Sequence, residues 1–328
     1  MADLMASRWR GQRGRLEVWY TTLTDPATGT GVWLHHELVA PSDGAPVYAH
    51  GWVAVFPPTD PPHFARFGPT GWAPSKAPAG GGPAGTAPAD GAAAGDVVFA
   101  SGPVEVSGGR LAGKAGDVSW DLSAVGDGPP LYTFPKWAWE RELLPAAQIV
   151  PAPVAAFTGT VRYGDRELAL TRAPGGTARI FGHGNAQRWA WLHADLGDGD
   201  VLELVAAVST RPGLRRLRPL PMVRLRLGGV DHPAGDPLLA SWRLRADIAL
   251  PTWRVSGRVG DHLLDVTVTQ PPEQTVTVPY RNPDGTGAVC RNSERASADI
   301  TWRPRSGGAP ERRWRLDGTA HAEVGTRD

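Results

Sequence analysis

The chain has 328 residues, among them 41 Gly, 32 Pro, 14 Trp and one Cys, with 34 basic side chains against 33 acidic ones and a formal charge of +1. That balance gives no general attraction to nucleic acid or to an anionic membrane. A single cysteine excludes an intrachain disulfide framework, and no apolar run reaches the length of a membrane-spanning helix.

So much Gly and Pro favours many strands and turns over long helices. Residues 1–20, MADLMASRWRGQRGRLEVWY, contain no apolar signal region, and a cytoplasmic protein is expected. Strand-like alternation begins with LEVWY and continues through GVWLHHELV, VYAHGWVAVF and DVSWDL. Residues 73–95 form a low-complexity Pro/Ala/Gly segment, read as a disordered loop within a first domain. WAWERELLPAAQI (137–149) has room for a short helical turn. Pro145, Pro151 and Pro153 then mark a boundary, giving domains 1–150 and 151–328.

The second half alternates more regularly. SWRLRADIAL, TWRVSGRVG, HLLDVTVTQ, QTVTVPY, RASADITW and RRWRLDGTAHAEV each put apolar residues on one face and polar ones on the other. Short turns such as Asn282-Pro283-Asp284-Gly285 join them, as in an antiparallel meander closed into a barrel or stacked as a sandwich. WLHHEL at 33–38 and WLHADL at 191–196 share the pattern Trp-Leu-His-x-acid-Leu, 158 residues apart. That spacing, close to half the chain, suggests a duplicated β domain.

The chemistry concentrates in IFGHGNAQRWAWLHADL, residues 180–196. On a strand, Trp189, Trp191, His193 and Asp195 share one face, while Ala190, Leu192, Ala194 and Leu196 share the other. As packing, the first row leaves polar heads in need of partners; as surface, it exposes two indoles to water. The interior of a ligand-holding barrel suits it: the indoles wall an apolar ligand, and His193 or Asp195 moves a proton. His183 and Asn185, in the loop before the row, are placed at the cavity mouth. Trp33, His35 and Glu37 repeat the logic in the first half.

Other chemistries fail on context. GGGPAG (80–85) lies in the low-complexity segment with no strand before it, and no P-loop, G-x-S-x-G or H-E-x-x-H motif occurs. His35 with Glu37, or His193 with Asp195, could face one ion, but no denser His or Cys cluster supports them and no metal centre is expected. Cys290 is read as inert. Arg211, Arg215, Arg216, Arg218, Arg224 and Arg226 form either a solvated strand face and loop or a docking patch for an anionic partner or, as a peripheral contact, a membrane surface.

These features carry a resemblance. The paired β halves, Gly182 and His183 followed by Trp189 and Trp191, SWDL at Ser119–Leu122, and the closing YRNPDGTGAVCRNSERASADITW resemble the two-domain lipocalin-like superfamily that includes carotenoid 1,2-hydratase (hydroxyneurosporene synthase), tocopherol cyclase and certain fungal Diels–Alderases. The resemblance implies an all-β fold of two tandem lipocalin/calycin-like antiparallel β-barrels packed together. It implies an apolar isoprenoid or polyketide ligand, hydration, cyclisation or cycloaddition chemistry, and no redox cofactor. It places His183, Trp189 and Trp191 at the cavity. The expected catalytic set is therefore His183, His193 and Asp195, with Asn185, Trp189, Trp191, Trp33, His35 and Glu37 binding ligand. A non-catalytic lipid or terpenoid carrier is the competing expectation.

Overall fold

A computed structural model describes residues 2–72, 97–142, 144–306 and 311–328; the low-complexity segment 73–95 lies outside them. In the first half, α1 (Ala2–Met5) precedes strands β1 (Arg15–Thr24), β2 (Gly31–Ala40), β3 (Tyr48–Phe56), β4 (His63–Gly71), β5 (Val97–Ser101), β6 (Val104–Ser107), β7 (Arg110–Ala115) and β8 (Val118–Asp127). Helix α2 (Lys136–Arg141) supplies the expected helical turn, and β9 (Ala146–Tyr163) and β10 (Arg166–Gly182) follow. The second half holds β11 (Arg188–Gly197), β12 (Asp200–Val208), β13 (Leu220–Leu227), β14 (Val230–His232), α3 (Pro237–Ser241), β15 (Leu244–Asp247), β16 (Thr252–Val259), β17 (His262–Thr269), β18 (Val276–Arg281), β19 (Gly287–Pro304) and β20 (Arg312–Arg327).

The strands form two antiparallel sheets, ordered β4-β3-β2-β1-β10-β9-β8-β7-β6-β5 and β14-β13-β12-β11-β20-β19-β17-β16-β15, with β18 paired to β19. The first sheet is nearly closed into a barrel. Its end strands lie side by side, and Ser101 bridges them through Thr70 Oγ1 (2.9 Å) and the Ala49 carbonyl (3.0 Å). The second remains an open path among the described residues: β15 rests against β13 without a ladder between them. Of the two barrels expected, only the first nearly closes.

The expected boundary at 150/151 falls inside β9, and the chain leaves the first sheet only between Gly182 and Arg188. Of the prolines that suggested a boundary, Pro145 precedes β9, and Pro151 and Pro153 sit where β9 has outrun β8. The β8 ladder ends at Asp127↔Val154, and the β10 ladder is irregular between Gly175 and Arg179. A proline's missing N–H costs little at such a position.

Each half is a four-strand meander plus six further strands, the last pairing back on the first: β10 on β1 and β20 on β11. The duplicated architecture is real, but the short sequence match does not register it. WLHHEL lies on β2, the second strand of its half, and WLHADL on β11, the first.

Burial shows how the halves meet. β16 and β17 alternate between buried and exposed positions, as a sheet with one wet face should. β2 is buried at all ten positions, and most of β1, β3, β11 and β12 is buried on both faces. One face of these strands lines its own sheet's core, including Trp19, Leu34 and Phe99 in the first and Leu192, Leu204 and Trp253 in the second. The other packs sheet to sheet: Val18, Tyr20, Trp191 and Val205 form one shared cluster, and Trp33, Trp52, Trp189, Tyr280 and Cys290 another.

The N-terminal segment is latched to the first sheet. Met5 enters its core, and Trp19 Nε1 donates to the Met5 carbonyl at 2.8 Å. Buried Glu17 accepts from Ser7 Oγ (2.7 Å) and the Arg8 amide (2.8 Å), and pairs with buried Arg179, which donates to the Leu4 and Ala6 carbonyls. Breaking a buried pair leaves an uncompensated charge and typically costs about 3–5 kcal/mol. Glu17→Gln should therefore destabilise the protein by roughly 3 kcal/mol, and hydrogen exchange should show residues 2–9 losing protection first. Unchanged protection there would show that the latch does not hold the segment.

Candidate functional site

Strand alternation places Trp189, Trp191 and His193 on one face of β11, as the sequence predicts, but that face looks across to the first sheet. Ala190, Leu192 and Ala194 take the core of the second sheet instead. Opposite stand Tyr20, Thr22 and Thr24 from β1, and Trp33, His35 and Glu37 from β2. The expected barrel-interior row is thus an inter-sheet row, and the two Trp-His segments come together across one interface.

Three buried imidazole–carboxylate groups occupy it. Glu37 lies 3.0 Å from His35 Nε2 and 2.9 Å from His50 Nε2. Burial would raise the Glu37 carboxyl, but hydrogen bonds from both imidazoles outweigh it and hold the pKa at about 2. His193 Nδ1 lies 2.6 Å from Glu203 Oε1, its direct cross-strand neighbour. Burial pulls His193 down, yet the hydrogen bond and charge of Glu203, with Asp195 and Glu294 behind it, lift it above its ordinary value. His321 Nδ1 lies 2.5 Å from Glu294 Oε2. Burial raises Glu294 well above the carboxylate range, while burial and neighbouring His193 lower His321 to about 3. Burial thus favours the protonated carboxyl of Glu294 and the neutral imidazole of His321.

Aromatic rings and hydrogen bonds link the groups. His35 stacks on Trp52 at 4.1 Å and meets the edges of Trp33 (5.3 Å) and Tyr280 (5.7 Å). Tyr20 stacks near His35, meets Trp191 edge-on at 5.2 Å, and accepts from Gln148, which also reaches Glu203 at 3.5 Å. Trp191 Nε1 donates to Glu203 (3.1 Å) and Trp189 Nε1 to Glu323 (2.7 Å). Glu294 accepts from Thr22 across the interface, and Thr24 approaches His321 at 3.5 Å. Tyr48 and His50, both partly exposed, mark where the network reaches solvent.

Backbone geometry makes room for these heads. The β19–β20 ladder slips between Ser293/Ala322 and Ala296/Ala320, and this bulge carries Glu294. A Cβ on Gly325 would sit 2.0 Å from Trp189 Cζ2, and one on Gly176 would sit 2.7 Å from His193 Cε1. Both glycines permit an approach that no other residue allows.

The remaining expected site residues lie elsewhere. His183 is exposed, 2.9 Å from Arg15 Nη1, its pKa lowered by partial burial and that guanidinium. Asn185 is tied to Asn282 through its amide (2.8 Å) and side chain (3.2 Å). Asp195 accepts from the Gly197 amide at the turn after β11, so Glu203 and not Asp195 bonds His193. Cys290 is fully buried, 3.4 Å from Glu323, and burial raises its thiol well above the ordinary value. No group of three or more His, Cys, Asp or Glu among the described residues is arranged to share a metal ion. A depression of about 410 Å³ lined by Asp60, His63, Tyr163 and Arg166 shares no residue with the network.

Residues 108–326 match the model of the tocopherol cyclase-like family. The chain belongs to this family. It is 48% identical over 320 residues to the uncharacterized proteins Rv0493c and MT0513 of Mycobacterium tuberculosis strains ATCC 25618 / H37Rv and CDC 1551 / Oshkosh, across 98% of this chain and 89% of each relative. Among solved structures it is similar to CghA (TM-score 0.60, 13% identity, 98% of this chain and 93% of that one). It is also similar to a putative AttH (NE1406) from Nitrosomonas europaea (0.51, 15%, 94% and 92%) and to kievitone hydratase from Nectria haematococca (0.50, 10%, 94% and 88%). At these identities the structural likeness shows the fold alone.

Two carboxylates of the network should respond oppositely to amidation. The folded-state pKa of Glu37 is depressed, so its stabilisation is present above pH 4.5 and lost as pH falls toward 2. Glu37→Gln should cost roughly 3 kcal/mol at pH 7 and flatten that acid limb in urea melts. Glu294 is raised, so the wild type loses stability as pH climbs from 4.5 toward the folded value. Glu294→Gln should be at least as stable at pH 8 and lack that slope; a loss as large as that of Glu37→Gln would refute the neutral pairing. Gly325→Ala should destabilise by about 1–3 kcal/mol through overpacking and displace the Trp189 ring. An unchanged near-UV circular dichroism spectrum would contradict the close approach.

Proposed function

We propose that this protein is an enzyme of the hydratase, cyclase or isomerase kind, acting on a large apolar isoprenoid or polyketide by acid–base chemistry between its two sheets. The observation that carries the reading is the inter-sheet face itself. Three imidazole–carboxylate groups lie on it, two of them among Trp33, Trp52, Trp189, Trp191 and Tyr280, and all but His50 are almost wholly buried. Packing alone does not require this, since desolvating each ion costs several kcal/mol. Perturbed titratable groups gathered in an aromatic setting are what proton-transfer sites need. The second barrel implied by the sequence resemblance is not required, because the groups converge outside both cores.

In this reading the indole and phenol rings shape the apolar substrate and stabilise positive charge developing on its carbon skeleton through their π faces. His50, held by Glu37 at the solvent edge, exchanges protons with water. His193, held by Glu203, donates or accepts a proton within the interface, and Glu294, whose pKa burial raises, serves as the acid. In the same reading Trp189, Trp191, Trp33, His35 and Glu37 surround the ligand. His183 and Asn185 lie at the chain's crossing between sheets and are assigned no proton transfer.

Native mass spectrometry followed by organic extraction tests the reading. The protein should carry, or take up, an isoprenoid or polyketide, and wild type should return it hydrated, cyclised or isomerised. His193→Ala should bind the same compound with turnover reduced about 100-fold or more. Ligand returned unchanged by wild type would mean a carrier, and a protein that binds no apolar probe would remove both readings.

A further inference from the structure

The arginine-rich stretch divides in two. Arg224 and Arg226 are used internally: Arg226 pairs with Asp231 at 2.7 Å and donates to the Pro129 carbonyl, and Arg224 donates to the Tyr132, Pro233 and Gly235 carbonyls. The connection between β12 and β13 behaves differently. Residues 211–218, RPGLRRLR, are all exposed, and their single turn Leu214–Arg216 presents Leu214 and Leu217 at 41% and 57% exposure. Arg211, Arg215, Arg216 and Arg218 have no carboxylate partner among the described residues; Arg215 bonds only the Thr210 carbonyl.

The α3 connection does not extend this patch. β14 and β15 are the first and last of nine strands in an antiparallel path, so the two run parallel, and the chain enters β15 beside Arg258, at the end of the sheet opposite the β12–β13 loop. The β12–β13 loop by itself projects Leu214 and Leu217 into water among four arginines that no carboxylate of the described residues neutralises.

We propose that the β12–β13 loop docks on an anionic lipid bilayer. Its leucines gain by entering the headgroup–acyl boundary, and its arginines gain from lipid phosphates. A nucleic acid would satisfy the arginines but leave the leucines in water, so the apolar residues favour the bilayer. The inference does not depend on the catalytic reading.

Flotation with phosphatidylcholine vesicles containing about 30% phosphatidylglycerol, against pure phosphatidylcholine, tests it. The whole protein should float with the anionic vesicles only, and less at 0.5 M salt. Arg215→Glu with Arg216→Glu should weaken binding at least about tenfold. Leu214→Asp with Leu217→Asp should weaken it while leaving the thermal midpoint within a degree or two, since both positions are exposed. Absence of flotation, flotation that neither variant alters, or binding to duplex DNA in place of vesicles would each overturn the proposal.

Discussion

Taking a charged group out of water costs several kcal/mol unless another group replaces the lost hydration, and that requirement organises the interface between the two sheets. Glu37 is hydrated in effect by two imidazoles, and Glu203 by His193, Trp191 and Gln148. Glu294 meets the requirement differently: burial raises its carboxyl and so favours the protonated form beside His321, whose imidazole burial pushes down to about 3. Partners come from both halves of the chain: Thr22 reaches Glu294 from the first sheet, and Gln148 reaches Glu203. Neither sheet could bury its polar face alone. The two cores are apolar and self-sufficient, so it is the interface that ties the halves into one functional unit.

The glycines and the bulge fit the same constraint. Rings the size of tryptophan and histidine cannot be stacked at strand spacing over ordinary residues, so Gly325 and Gly176 give up side chains where Trp189 and His193 need the volume. The bulge on β19 interrupts a long ladder at the residue that must reach across to Thr22. These departures from regular sheet coincide with the polar groups, as expected where local order has been exchanged for a site.

Alternation made the strands and the shared face of Trp189, Trp191 and His193 legible, because a period of two depends only on backbone geometry. Which face looks inward was not legible, since it depends on what packs opposite, and β11 is apolar enough on both sides to fit either way. Asp195 was the natural partner by spacing, but it stands at the start of the Gly197-Asp198-Gly199 turn, where a backbone amide claims it. Glu203 had a signal of its own: it is the lone acid within the buried run VLELVAAV, and such a charge must find a partner. Glu294 and His321 gave less, because bulge and register decide what they meet. The prolines of β9 misled for a related reason, as they sit where neighbouring ladders end.

The docking end and the polar interface belong to the same second sheet but answer opposite solvation problems. In the interface, charge is buried and each carboxylate is given a partner or a proton; at the docking end, arginines and large apolar side chains are left in water together. Singly exposed leucines are ordinary on protein surfaces. Leu214 and Leu217 differ in sharing one short loop with four arginines left without carboxylates among the described residues, whereas Arg226, a few residues on, is paired with Asp231. A site for an apolar metabolite has a delivery problem, because such compounds reside in membranes and not in solution. If the interface is the proton-transfer site proposed above, a basic, apolar loop on the same sheet would let it receive its substrate from the phase in which that substrate is concentrated.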